Sequence, residues 1–401
     1  MMLLKNCKFV KELMTEYAED QGDVLVEKGK ITQIGQIDEK AFPIDELYDL
    51  KGAYLLPGLM EFHTHLNWTE QNYLTMIVEN PVEAAFHGYA YVKEYVRQGY
   101  TFIRDCGSSY GCINEVRNAI QAGYLQGPDI SSSGEILTPT EIGNISFEKM
   151  YVEADGPEDV ARAVRKLFQK GSDFIKYMIT GAFYNDGGVP GVTIVTPEEL
   201  EMAVRLAKMR GSYVSTHAHG TEAIKLAIRS GVRTIEHGSL VDDEGIKMLL
   251  DTDESFIIPT IAVDKVPYDH PEQIPAHMWD KVDSLTKKSH ECIRKAYDAG
   301  LKLGWGSDLD MYNFTSTPGY EFIARKEMLD FSNIDMLLQA TKNSAEIAGL
   351  DGEIGSIGLG KRANLIVVRD NPVQDIYVMA EYPLHVFVDG KELARSGELL
   401  F

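Results

Sequence analysis

Seven side chains able to bind a metal ion or carry a proton fall at the ends of apolar runs. Residues 55–66 form one such run and close on His63 and His65, spaced i and i+2. Side chains alternate along a strand, so both imidazoles project to one side and make half of a metal site. Residues 213–220 end on a second pair, His217 and His219, and residues 233–238 supply His237. Residues 303–308 end on Asp308, flanked by small residues. Lys176 lies inside the apolar stretch 173–178, where an ammonium is costly to bury unless it is paired or modified. Taken singly, each of these is more readily a structural residue; Lys176 alone would be an interior ion pair or a stem that snorkels outward. Their joint occurrence at the carboxyl ends of five separate strands is what points to a metal site.

The elements that must position these groups follow a repeating pattern of apolar strand, loop and amphipathic helix. Strands are expected to end near His65, Asp105, Thr138, Lys176, His217, His237, Thr260 and Asp308. Helices are expected over 81–97, 114–122, 158–169, 198–209, 222–229, 242–250 and about 278–299. Pro157 and Pro197 suit a first helical turn, and Gly171, Gly211, Gly231 and Gly300 suit left-handed C-caps. Eight strand–helix units across residues 57–351 spell an α/β fold, a (β/α)8 TIM barrel, whose chemistry sits at the carboxyl ends of its strands. Residues 1–56 and 352–401 read instead as short strands, with hairpin signals at Lys28-Gly29 and Asp389-Gly390. They are expected to form one small β-sandwich domain built from both termini. His385 is expected on the outward face of its strand.

Composition excludes several classes. The chain has 401 residues, 44% apolar and 25% charged, ordinary values for a globular protein. Its formal charge of −22 disfavours nucleic acid and anionic membranes as partners. Cys7, Cys106, Cys112 and Cys292 show neither metal-finger spacing nor disulfide density, which fits a reducing, cytoplasmic setting. No run approaches the roughly 18 apolar residues of a membrane span, and the first ten residues lack a signal-peptide core.

The ordered set of His-x-His, lysine, histidine, histidine and aspartate resembles the amidohydrolase superfamily, in the branch with two metals and a carboxylated lysine. The matching residues are His63 and His65, Lys176, His217, His237 and Asp308. The likeness extends over nearly the whole chain, including residues 360–365, which re-enter the terminal β domain. Residues 154–160, 174–181, 217–220 and 235–238 are most similar to prolidase-like, imidazolonepropionase-related enzymes. That branch includes metal-dependent dipeptidases, carboxypeptidases and hydrolases of N-acylated amino acids. The resemblance implies one divalent ion, zinc by expectation, on His63, His65 and Asp308, and a second on His217 and His237. It further implies that Lys176, carboxylated by carbon dioxide, and a hydroxide bridge the two. Asp308 would be ligand and proton shuttle, and His219 a partner of substrate or of a ligand. The implied reaction is hydrolysis of an amide bond of the peptide or N-acyl amino acid type, with a small molecule as the partner and a homo-oligomer as the assembly. One departure stands out: where relatives carry a Gly-Gly-His-Gly turn after the third strand, residues 138–144 hold no histidine.

Specificity is expected from loops after the strands. Tyr110, Glu141, Tyr177, Tyr184 and Met311 are the leading substrate-facing candidates, with Phe183, Asn185, Asp310 and Tyr312 behind them. His87, His270, His277 and His290 fall away from strand ends and read as structural. The competing enzyme is a mononuclear deaminase or cyclic-amide ring hydrolase on the same barrel. Against it, Gly220 stands three residues after His217, where deaminases carry a glutamate, and Lys176 is present. A metal-free scaffold protein would be expected to have lost ligands. A sugar-phosphate enzyme would need a glycine-rich cradle that residues 259–262 do not offer.

Overall fold

The structure, a computed structural model, describes residues 1–68, 80–181, 191–273 and 279–401. Its middle is an alternation of parallel strands and helices. Helices occupy Pro81–Arg97, Cys112–Gln121, Pro157–Gln169, Pro197–Lys208, Thr221–Ser230, Asp243–Leu250 and Trp279–Asp298, within about two residues of the sequence expectation. Proline stands in the first turn at Pro81, Pro157 and Pro197, where no intrahelical N–H is lost. Thr196 and Glu199 complete a capping box at the last of these. Helices Ile261–Asp269, Tyr320–Leu329 and Asn333–Leu338 were not anticipated.

The parallel strands form two sheets rather than the expected closed ring. Six strands run in the order Tyr151–Glu153, Ile136–Thr138, Ile175–Met178, Val214–Ala218, Thr234–His237 and Phe256–Ile258. Three more, Leu59–Thr64, Tyr100–Asp105 and Asp129–Ser132, make the second sheet. The third expected strand is split, because the chain turns through Gly134 at φ 70° between Asp129–Ser132 and Ile136–Thr138. The eighth is reduced to isolated parallel bridges, Leu303 with Ile257 and Gly306 with Thr260. Backbone hydrogen bonds still tie the seams: Phe62 N–H donates to Trp305 C=O at 2.9 Å and Asp308 N–H to His63 C=O at 2.8 Å at one, and Asp173 N–H to Ser132 C=O at 2.8 Å at the other. Gly306 permits the first seam, since a Cβ there would lie 2.8 Å from the Cβ of His63.

The termini build a separate nine-stranded sheet, consistent with a composite β-sandwich. Tyr54–Pro57 pairs antiparallel with Leu365–Val368 and parallel with Met2–Phe9, which joins the two ends of the chain. Leu4, Val24, Leu55, Val367 and Phe387 form its apolar cluster. Both expected hairpins are present. Lys28 and Gly29, at φ 49° and 78°, and Asp389 and Gly390, at 49° and 74°, have the paired positive φ of a tight two-residue turn. His385 is half-buried and bonds to Glu392 at 2.6 Å.

Candidate metal centre

Two groups of donors converge at the carboxyl ends of the parallel strands. His63, His65 and Asp308 offer atoms all within 4.8 Å of one another, and so do His217, His219 and His237. Asp308 Oδ1 lies 3.6 Å from Nε2 of both His63 and His65. His237 Nε2 stands 2.9 Å from His217 Nδ1. Lys176 Nζ lies 3.3 Å from His63 Nε2, and the His63 and His237 rings are 4.8 Å apart, so the groups adjoin.

The groups around these donors decide which nitrogen is free to ligate. His65 Nδ1 meets the Gly107 carbonyl at 2.8 Å. A carbonyl only accepts, so the proton sits on Nδ1 and the Nε2 lone pair faces Asp308. His63 Nδ1 is 2.9 Å from Glu236 Oε2 by the same logic. Glu236 is fully buried and accepts from Arg104 Nη2 at 2.6 Å and Ser215 Oγ at 2.8 Å. His237 Nδ1 meets Thr260 Oγ1, and His219 Nδ1 meets Ser239 Oγ, each at 2.8 Å. Glu61, buried beneath, accepts from the backbone N–H groups of His63 and Ser307 and from Ser307 Oγ at 2.8–3.0 Å. It therefore clamps the strand bearing His63 to the segment bearing Asp308. His237 and Asp308 both have positive φ, 67° and 54°, a conformation non-glycine residues rarely adopt.

Burial sets the ionisation. It lowers His63 to about 4 and His219 to about 3, and holds His65, His217 and His237 well below the usual imidazole range. The imidazoles are neutral, as ligands must be. Burial also pushes the Asp308 carboxyl up to about 7, with the Lys176 charge opposing. Burial opposes the ionisation of Glu236 too, but the Arg104 charge and the His63 ring overcome it and keep the carboxyl far below its ordinary value.

The donor set fits divalent cations. His217 Nε2 and Asp308 Oδ1 are buried without a hydrogen-bond partner, and neutral imidazoles and a carboxylate are zinc's usual ligands. Lys176 is 1% exposed, and no carboxylate among the described residues comes within ion-pairing distance of its Nζ.

The structure brings together all seven residues expected at the centre. It differs at Lys176, the second residue of Ile175–Met178 rather than the strand's end. Tyr177, expected to face substrate, points the other way, because its neighbours Lys176 and Met178 take the site side. It packs in the large core with residues of the surrounding helices. Glu141 and Met178 do line a recess beside the centre with Thr138, Asn144, Tyr151 and Thr180. Met311 N–H donates to the Trp68 carbonyl at 2.7 Å, and the Trp68 ring stacks on His65 at 4.3 Å. Tyr110 borders a different groove, between the helices Pro81–Arg97, Cys112–Gln121 and Pro157–Gln169, not the histidines. Tyr184, Phe183, Asn185 and His277 lie outside the described residues. Glu61, Arg104 and Glu236 were missed, although each is a charged residue inside an apolar strand, the same signal that singled out Lys176.

The sequence profile of the amidohydrolase family matches residues 54–393, and the chain belongs to that family. It is accordingly a hydrolytic enzyme acting on C–N bonds, of a family that generally uses a metal centre. It is 27% identical to ochratoxinase from Aspergillus niger over 371 residues, covering 86% of this chain and 76% of that protein. A crystal structure of a prolidase complexed with N-methylphosphonate-L-proline superposes with a TM-score of 0.86 and 28% identity, covering 98% of this chain and 99% of the other. A Xaa-Pro dipeptidase with methionine bound in its active site gives 0.85 and 26%, with the same coverage. Among the described residues no helix is long and apolar enough to cross a membrane.

Proposed function

We propose that this enzyme is a metal-dependent hydrolase of amide bonds of the peptide or N-acyl amino acid type. The observation that carries this reading is the pair of adjoining donor groups with Asp308 Oδ1 and His217 Nε2 buried and unpartnered. Likeness to proteins named prolidase, Xaa-Pro dipeptidase and ochratoxinase supports it. The catalytic unit is residues 57–351, and residues 1–56 with 352–401 form the supporting domain.

His63, His65 and Asp308 would hold one ion, and His217 and His237 the other. Lys176, if carboxylated on Nζ, would add oxygen donors at this centre. Divalent ions such as zinc supply Lewis acidity and bring the pKa of water toward neutrality. Asp308 accepts the attacking water's proton on its carboxylate and delivers it to the departing amine. His219, its Nδ1 engaged by Ser239, presents Nε2 to the substrate carbonyl or its oxyanion. Hydrolysis adds water across one C–N bond and yields a carboxylate and an amine.

The test is to assay purified, metal-reconstituted protein against dipeptides and N-acyl amino acids and amines, with metal analysis alongside. The expected result is C–N cleavage that a chelator abolishes and added metal restores, at two ions per chain. One ion per chain would favour the mononuclear deaminase or cyclic-amide hydrolase, and absence of amide cleavage would refute the proposal.

A further inference from the structure

Asp105 ends the strand Tyr100–Asp105, is fully buried, and belongs to neither donor group of the metal centre. Burying a carboxylate costs free energy that a paired charge or hydrogen bonds must offset. The donors that meet this one are neutral. Oδ1 accepts from the Leu66 backbone N–H and Oδ2 from the Ser132 hydroxyl, each at 3.0 Å. The Gly107 backbone N–H and the Ser108 hydroxyl also bond to it. Even with these partners, burial pushes the carboxyl up to about 7.

What the donors share is their place around His65. Leu66 follows His65 directly, so its bond to Asp105 fixes the peptide unit that leaves the histidine. Gly107 supplies the carbonyl that His65 Nδ1 meets at 2.8 Å, which puts the ring proton on Nδ1 and the lone pair on Nε2. One carboxylate thus grips both the backbone and the ring acceptor of the same histidine. Only glycine fits at 107: its φ is 133°, and a Cβ there would lie 2.2 Å from Ile136 Cγ1. Ser132 carries the grip across the seam, since its carbonyl receives the N–H of Asp173 on the way into Ile175–Met178, the strand of Lys176. The Trp68 ring also stacks on His65, at 4.3 Å, but stacking does not select which ring nitrogen holds the proton.

We propose that Asp105 is a positioning residue for His65: by holding the Gly107 carbonyl on Nδ1 and the Leu66 amide beneath it, Asp105 keeps Nε2 aimed toward Asp308 as a metal ligand. Asp105 touches no reacting atom and acts through the histidine. This inference rests on the metal-centre part of the proposed function and adds a residue to it.

The test is a double-mutant cycle of Asp105→Ala with His65→Ala, read by chelator competition for zinc on the full chain. Asp105→Ala should lower zinc affinity about 10–100-fold in the parent. Once His65 is already alanine, the same change should cost no more than about twofold, whereas in a His237→Ala background the full loss should persist. An equal loss in the parent and the His65→Ala background overturns the inference, because the carboxylate would then act on the fold at large. Nitrogen-15 spectra of the imidazoles in the apo protein, assigned with His65→Ala, give a second readout. His65 should be the Nδ1–H tautomer in the parent and a mixture in Asp105→Ala; an unchanged tautomer also overturns the inference. Asp105→Asn keeps one oxygen for the Leu66 N–H and should fall between parent and Ala in both readouts, and the cycle rests on it should the alanine variant fail to fold. Neither readout uses turnover, so failure to cleave an amide would refute the hydrolase reading alone.

Discussion

Glu236 is where stability and metal affinity are most sharply coupled. Its carboxylate faces His63 Nδ1 at 2.9 Å and Arg104 at 2.6 Å, all three groups being essentially excluded from solvent. In Glu236→Gln the amide oxygen goes to Arg104, so the amide N–H group faces His63 Nδ1. That nitrogen must then accept, the ring proton moves to Nε2, and Nε2 is the atom aimed at Asp308. Metal affinity should fall about 10–100-fold, or roughly 1.4–2.7 kcal/mol. The same change leaves the Arg104 guanidinium buried without its anion, which costs about 3–5 kcal/mol. The lower end applies, because Arg104 keeps the Phe62 carbonyl at 2.6 Å and Thr234 Oγ1 at 2.8 Å. Adding Arg104→Met removes the orphaned charge and should recover much of that stability without recovering metal affinity. Denaturant titration of the apo forms and chelator competition for zinc read the two effects separately. Should the double variant bind zinc within about twofold of the parent, the argument that Glu236 sets the His63 tautomer is wrong.

Asp308→Asn should retain the fold and lose about 10²–10⁴-fold in kcat as proton transfer is removed; full activity in a metal-loaded preparation would contradict its role. Lys176→Ala should lose metal, and partial rescue by a short carboxylic acid such as propionate would support the carbamate, whereas unchanged metal content would not. Glu61→Ala leaves the His63 and Ser307 amides unpaired at the seam and should destabilise the protein by about 2–5 kcal/mol while lowering metal affinity; unaltered denaturation would show that the clamp is idle. Metal uptake should weaken with acid, because the Asp308 carboxyl, raised to about 7 by burial, holds its proton below that pH and must release it to ligate. The slope should approach about tenfold per pH unit below pH 7, the imidazoles adding little until far lower pH; flat affinity between about pH 6 and pH 8 would refute this.

Local chemistry made much of this protein legible before any contact was known. The hairpins at Lys28-Gly29 and Asp389-Gly390 need only a backbone able to take positive φ, and both formed. The helices with a proline start and an apolar stripe appeared where their sequence placed them. Helices such as Tyr320–Leu329 were missed, since one of its buried positions is Arg325, which pairs with Glu321 and reads as polar in sequence. Lys176 and the histidines announced themselves because polar groups inside apolar strands demand an explanation.

What depends on distant partners was not visible. The sequence determined which residues carry lone pairs and, through strand alternation, which side each faces; applied to Tyr177, the same rule already turns it from the site Lys176 enters. Only the tertiary structure decided that Glu236 reaches His63 across two strands, and that Glu61 ties the segment at Ser307 to the strand at His63. It alone decided that the two parallel sheets meet through a few backbone hydrogen bonds rather than continuous ladders. The reason is physical: alternation and turn propensity act between neighbours in the chain, whereas a tautomer, a desolvated carboxylate or a sheet seam is set by atoms brought from far along it.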